Sequence, residues 1–213
     1  MTTSTRLDEL FAAERTVRNL HHSLLNTAPA DLLKSVASAT QAAFAAEPEE
    51  QSLRLARIAS LLQHVHGPES VDLLLEVLDK ATPEGRLAAG EAIEGIAFER
   101  FKEVALAVER ALDKNTVGAN ALAELPYILA EVGEPGVTKL IVKFLGHSDP
   151  EVVASAIEAL TEIGDLTAIP ALEHYTGDAR TVTMEEDGEE ETYSLGDLAT
   201  EAIEILEENG SED

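Results

Sequence analysis

Hydrophobic positions recur at three- and four-residue intervals along most of this 213-residue chain, the period of one helix face. The clearest unit begins at Asp149 and Pro150, after which Val152, Ala156, Ala159, Leu160 and Ile163 form a single stripe. Asp149 suits an N-cap because its carboxylate can accept an unpaired backbone N–H of the first turn. Pro150 suits the first helical position, where its missing N–H costs nothing. Gly164 then fits a left-handed helix end and Asp165 a second cap. The helix that follows carries Ile169, Leu172 and Tyr175 on one face.

The same design recurs upstream. Val65-His66-Gly67-Pro68 ends one helix and starts another bearing Val71, Leu74, Leu75 and Leu78. Val132-Gly133-Glu134-Pro135 does so again, leading to Val137, Leu140, Ile141 and Phe144. A fainter copy runs from Ala88 to Ile96 and on through Val104, Val108 and Leu112. The anchors Val65, Ile96, Val132 and Ile163 lie 31, 36 and 31 residues apart, which fits two helices and two turns. Four helical pairs are therefore expected over residues 50–176. Pro126 falls inside one predicted helix and is expected to curve it or shift its start.

Both flanks depart from the repeat. Leu7, Leu10, Phe11, Val17, Leu20 and Leu24 make one stripe, and Leu32, Leu33, Val36, Ala39 and Ala43 another. Residues 5–46 are expected to form a degenerate helical pair capping the stack, with a free-standing coiled-coil arm over 5–25 as the alternative. At the other end, Thr181–Met184 and Thr192–Leu195 flank Asp187-Gly188, the signal of a β-hairpin over 181–195. Ser194 and Asp197 then make a capping box for a closing helix over 196–208 that holds Leu198, Ala202, Ile203 and Leu206. The fold class expected is all-α: one α-solenoid of antiparallel helix pairs over 1–213, with a small hairpin insertion.

The string DPEVVASAIEALTEIGDLTAIPAL (149–172) resembles the HEAT-like repeat of the phycobilin-lyase type, and the weaker copies extend that resemblance over 50–176. That family places Arg directly after the valine that follows Asp-Pro-x; here the position is Val153, so its Arg-based ladder between repeats is missing or replaced. The resemblance implies a solenoid that binds other proteins. It also leaves open a chromophore-binding or lyase activity; a structural subunit of a homo-oligomer, whose apolar end stacks on another copy, is a third reading.

Composition narrows the function. Fifteen Lys+Arg against 41 Asp+Glu give a net charge of −26. Such a field repels phosphate backbones and anionic headgroups, so nucleic acid and membrane are not expected partners. Two accounts of the acidity stand: an acidic groove for a basic protein partner, and a generally acidic surface of the kind suited to high internal salt. The absence of cysteine excludes a disulfide framework, a thiolate metal site and a Cys nucleophile. No basic and apolar leader precedes Asp8 and no apolar run suits a membrane span, so a cytoplasmic protein is expected.

Chemistry is sparse. His64 and His66 are two apart and His21 and His22 adjacent, spacings that do not share a helix face; His147 lies in a turn. Glu185 to Glu191 lacks the ligand order of a calcium loop. Gly85, Gly90 and Gly95 suit close helix packing, not a phosphate cradle. No catalytic residue, metal ligand or cofactor is assigned. The expected function is that of a non-catalytic adaptor or scaffold, monomeric or weakly self-associating. Its protein partner would lie along the face made by the second helices, at Asp72, Glu76, Glu103, Lys139, Lys143, Glu173 and His174.

Overall fold

The computed structural model describes residues 3–186 and 189–210. Ten α-helices follow in chain order: α1 (Thr3–Leu25), α2 (Pro29–Phe44), α3 (Pro48–Leu62), α4 (Pro68–Lys80), α5 (Pro83–Lys114), α6 (Ala119–Ala130), α7 (Val137–Ile141), α8 (Pro150–Ile163), α9 (Ile169–Leu172) and α10 (Leu195–Gly210). A hairpin of β1 (Thr181–Glu186) and β2 (Glu189–Ser194) separates α9 from α10. The first helices of the pairs pack as one layer in the order α3, α5, α6, α8, α10, and the second helices lie behind them. This is an all-α solenoid of HEAT-like helix pairs with one small antiparallel sheet.

Local chemistry starts or stops several of these helices where the sequence implied. Proline occupies the first turn of α2, α3, α4, α5 and α8. The Asp149 carboxylate accepts from the Glu151 N–H at 3.0 Å, and Gly164 closes α8 in the left-handed region at φ +72°. Asp165 accepts from the Thr167 N–H at 2.9 Å and also takes the Thr138 hydroxyl at 2.7 Å, tying one pair to the next. Gly67, at φ +110°, allows the tight entry to α4.

Three local expectations are corrected. Pro135 does not begin a helix: Gly136 turns the chain at φ +105°, α7 starts at Val137, and the tighter turn Val142–Gly146 completes it. The second helix of the last pair is likewise a short α9 between two 3₁₀ turns, Leu166–Ala168 and Glu173–Tyr175. On α2 the inward position belongs to Thr40, not Ala39. Leu32, Val36, Thr40 and Ala43 are buried there, and the Thr40 hydroxyl is satisfied by the Val36 carbonyl at 2.9 Å.

The faint second pair turns out to be α5. Its two halves are separated only by Arg100, whose φ −144° and ψ 46° leave the helical region. No glycine or proline marks that corner, which is why its periodicity blurred. α6 carries Pro126 within it, buried. The core is mostly aliphatic: Leu55, Leu62, Leu74, Ile93 and Leu125 are among its fully buried side chains, joined by the aromatic Phe144. A Cβ added at Gly85 would meet Ala81 of the preceding turn at 2.8 Å and Leu55 of α3 at 3.5 Å, and one at Gly90 would meet Ile128 of α6 at 3.4 Å.

The hairpin pairs Thr181 with Ser194 through Glu186 with Glu189; the Asp187-Gly188 turn lies outside the described residues. Ser194 caps α10, accepting from the Asp197 N–H at 3.0 Å while its own hydroxyl donates to the Asp197 carboxylate at 2.6 Å. α10 is seated on the preceding loop by the Leu195 N–H on Arg180 O and the Gly196 N–H on Asp178 O.

Candidate interaction surfaces

The second-helix side carries the seven residues expected to meet a partner, and most of its charge is engaged within the chain. Asp72 on α4 pairs with Arg110 on α5 at 2.7 and 2.8 Å. Glu76 accepts from Lys80 at 2.8 Å and from Gln41 of α2 at 2.9 Å. Burial alone would raise its pKa, but these two hydrogen bonds outweigh burial and hold the carboxyl below its ordinary value. Lys143 reaches Glu109 at 2.8 Å. Glu103 accepts from the Gly67 N–H at 2.9 Å and lies beside Arg100. Lys139, Glu173 and His174 are exposed, and the His174 Nδ1 bonds the Pro170 carbonyl at 2.7 Å. Asp72, Glu76, Lys80 and Arg110 together border a cleft of about 290 Å³.

Several of these contacts tie neighbouring repeats together. Asp72 with Arg110, Glu76 with Gln41, Lys143 with Glu109 and Glu103 with Gly67 each join residues about one repeat apart in sequence, as do Arg86 with Glu124 and Tyr127 with Glu158 between first helices. A solenoid has no contacts between distant parts of the chain, so neighbour-to-neighbour ties of this kind set its shape.

Arg100 is a tie the sequence did not announce. Its guanidinium donates to Gln63 O at 2.6 Å, just past the end of α3, and to Val65 O at 3.2 Å, which also accepts the Ser70 hydroxyl. Its side chain is only 13% exposed, and its Nε is buried without a hydrogen-bond partner. Only the break in α5 brings it there.

The first-helix side is different in kind. Leu53, Leu87, Tyr127 and Ile205 are exposed on α3, α5, α6 and α10. Between α8 and α10 lies an open groove of about 380 Å³ whose apolar wall includes Ile157, Met184, Leu198 and Ile205. Glu158, Glu162 and Glu201 border it, and no Lys or Arg lines it. Among the described residues, neither Glu162 nor Glu201 has an ion-pair partner, whereas Glu158 accepts the Tyr127 hydroxyl. Half-burial, and then that carboxylate, push the Tyr127 phenol up to about 12. The groove arises because the hairpin inserts Met184 beside the seam where α10 replaces a full pair.

Among the described residues no cluster of three or more His, Asp or Glu is placed to hold a metal, and no helix is long and apolar enough to cross a membrane. His21 and His64 do meet, edge to face at 5.8 Å. Burial and then the neighbouring His64, Arg57 and His22 hold His21 below its ordinary pKa. His147 uses Nδ1 to accept the Asp149 N–H at 3.1 Å, and His66 lies 3.7 Å from Glu103.

Residues 116–185, from α6 into β1, match the family described as HEAT repeats. Two solved structures are similar over nearly the whole chain. One is the crystal structure of an engineered protein, 19% identical, with 91% of this chain and 90% of that one covered and a TM-score of 0.37. The other is of computationally designed armadillo repeat proteins for modular peptide recognition, 18% identical, with 95% of each chain covered and a TM-score of 0.37. No curated protein matches the chain.

Proposed function

Because this chain is a HEAT-like repeat protein, a fold that commonly mediates protein–protein contact, we propose that it is a non-catalytic adaptor. It holds a basic, apolar-anchored segment of another protein in the groove between α8 and α10. The observation that carries this reading is the pairing of an apolar wall with carboxylates that have no cation of their own. Ile157, Met184, Leu198 and Ile205 offer an anchor site, and Glu162 and Glu201 stand at its edge. An incoming Lys or Arg there loses little, because no internal ion pair has to be broken first.

The second-helix residues form the outer part of the same proposal. Lys139, Glu173 and His174 are available for contact. Asp72, Glu76, Glu103 and Lys143 serve first as ties between repeats, so reversing them would loosen the stack as well as any partner. The sharper probe is the groove. A short fluorescent helical peptide rich in Lys, with leucines on one face, should bind the full chain. Ile205→Ser or the pair Glu162→Lys and Glu201→Lys should weaken binding by about tenfold or more. Glu47→Lys with Glu49→Lys, at the start of α3 toward the other end of the stack, should change it far less. Equal losses from the two reversals would reduce the effect to bulk acidity and sink the groove assignment.

A further inference from the structure

Among the described residues, α1 carries six exposed large apolar side chains. None of its 23 residues is buried. Leu7, Leu10, Phe11, Val17, Leu20 and Leu24 are exposed at 46, 53, 53, 37, 61 and 42%. Leu10, Val17 and Leu24 recur every seven residues with Ala13 and Leu20 between them, the spacing of a seam between two helices. The C-terminal end of this face already touches the stack, through Leu25 against the core and His21 against His64, and the seam continues from there uncovered. Half-exposure of six large side chains leaves a patch on the order of 500 Å², at the upper range for the largest patch of an ordinary monomer.

Charge selects what covers it. Arg6, Arg15 and Arg18 balance Asp8, Glu9 and Glu14, so α1 is neutral on a chain of net charge −26. A second −26 chain can therefore approach along this face without meeting an acidic surface. Order along the helix selects the direction. Glu14 and Arg18 flank the seam on the same side, one turn apart, and among the described residues neither has an ion-pair partner. In an antiparallel pair centred near Thr16, each Glu14 faces Arg18 of the second copy. That centre lies within one residue of residue 15, about which Leu10 faces Leu20 and Ala13 faces Val17 of the second copy. Antiparallel pairing also sets the two acidic stacks at opposite ends of a helix about 35 Å long, several screening lengths apart at physiological salt. A parallel pair would set Glu14 near Glu14 and the stacks side by side.

We propose that α1 is a self-association helix: two copies of this chain pair through their α1 seams, antiparallel and about a twofold axis near Thr16. The pair buries on the order of 1,000 Å² in total, the low end for specific interfaces, so it forms at micromolar concentration. This proposal does not rest on the groove reading, and neither test reports on the other.

Sedimentation velocity of the full chain across the micromolar range, at low and at about 1 M salt, should show a monomer–dimer equilibrium that tightens as salt screens the stacks. Leu10→Glu with Val17→Glu should abolish the dimer with the circular dichroism of the stack intact, since these positions support no core. Glu14→Arg or Arg18→Glu alone should weaken dimerisation by about tenfold, and the double exchange should restore it. Because the chain has no cysteine, Glu9→Cys and Ser23→Cys report direction. A mixture of the two should form the mixed disulfide in preference to either self-disulfide. A monomer at all concentrations and salts overturns the proposal and assigns the stripe to a different partner. A dimer that survives Leu10→Glu with Val17→Glu overturns it too, as does a preference for self-disulfides.

Discussion

Removing the Arg100 guanidinium tests whether ties between neighbouring repeats hold this solenoid together. Arg100→Ala deletes two charge-assisted hydrogen bonds to the carbonyls of Gln63 and Val65, at 2.6 and 3.2 Å. Bonds from a charged donor contribute about 1.5–3 kcal/mol each, and the longer one belongs at the low end. Against that stands the buried Nε without a partner, whose removal relieves about 1–2 kcal/mol. The net expectation is a loss of about 2–3 kcal/mol, equivalent to a fall in Tm of roughly 5–10 °C for a chain of this length. Arg100→Lys keeps the charge but not the two-pronged donor, and should lose about half as much. Urea titration followed by helical circular dichroism measures both, with the slope watched because repeat arrays can lose cooperativity. A drop in slope would mean that the α3–α4 pair melts apart from the rest. If Arg100→Ala stays within about 0.5 kcal/mol of the parent, the clamp contributes nothing and the reasoning fails.

Three further outcomes follow from named contacts. Gly196→Ala places a Cβ 2.7 Å from Thr176 O and 3.2 Å from Asp178 O, so it should cost about 2 kcal/mol or more and expose α10 to limited proteolysis first; an unaltered cleavage pattern would refute the seat. Tyr127 is held neutral up to about pH 12, so the fold binds a proton that the unfolded chain releases near pH 10. Stability should therefore fall as pH rises from about 10 to 12. Glu158→Gln should lower the Tyr127 midpoint in an ultraviolet titration, and an unmoved midpoint would leave burial as the whole cause. Finally, screening a charge of −26 should raise Tm by about 5 °C or more between low and about 1 M salt; a flat or falling Tm would remove salt adaptation as an account of the acidity.

Tertiary structure adds what no helical wheel shows, the side chain that answers another a repeat away. Glu76 and Lys143 stand out as exposed charges in sequence, and Gln41 and Glu109 hydrogen-bond them from neighbouring repeats. The groove between α8 and α10 escaped notice for a related reason. Met184 reaches it from a hairpin, whereas Ile157 and Ile205 come from two different helices, and no spacing in sequence links all three. The only available hint was that the hairpin interrupts the repeat just before its last helix. Arg100 left no hint at all, because the corner in α5 contains neither glycine nor proline.

What the sequence determined by itself is everything that closes within a few residues. Caps such as Asp149 on Glu151 and Asp165 on Thr167, the left-handed Gly67 and Gly164, and the Ser194–Asp197 box are contacts of two or three residues, so their chemistry is written locally. Hydrophobic periodicity added the helices and the repeat, since a helix must bury the stripe it carries. Tertiary structure decided the rest: that Thr40 turns inward, that α7 and α9 are cut short, which acids are spent on neighbours, and that the α1 stripe stays uncovered. Those outcomes depend on which surface lies opposite, and in a solenoid that surface comes from the next repeat or, for α1, is absent from the chain's own stack.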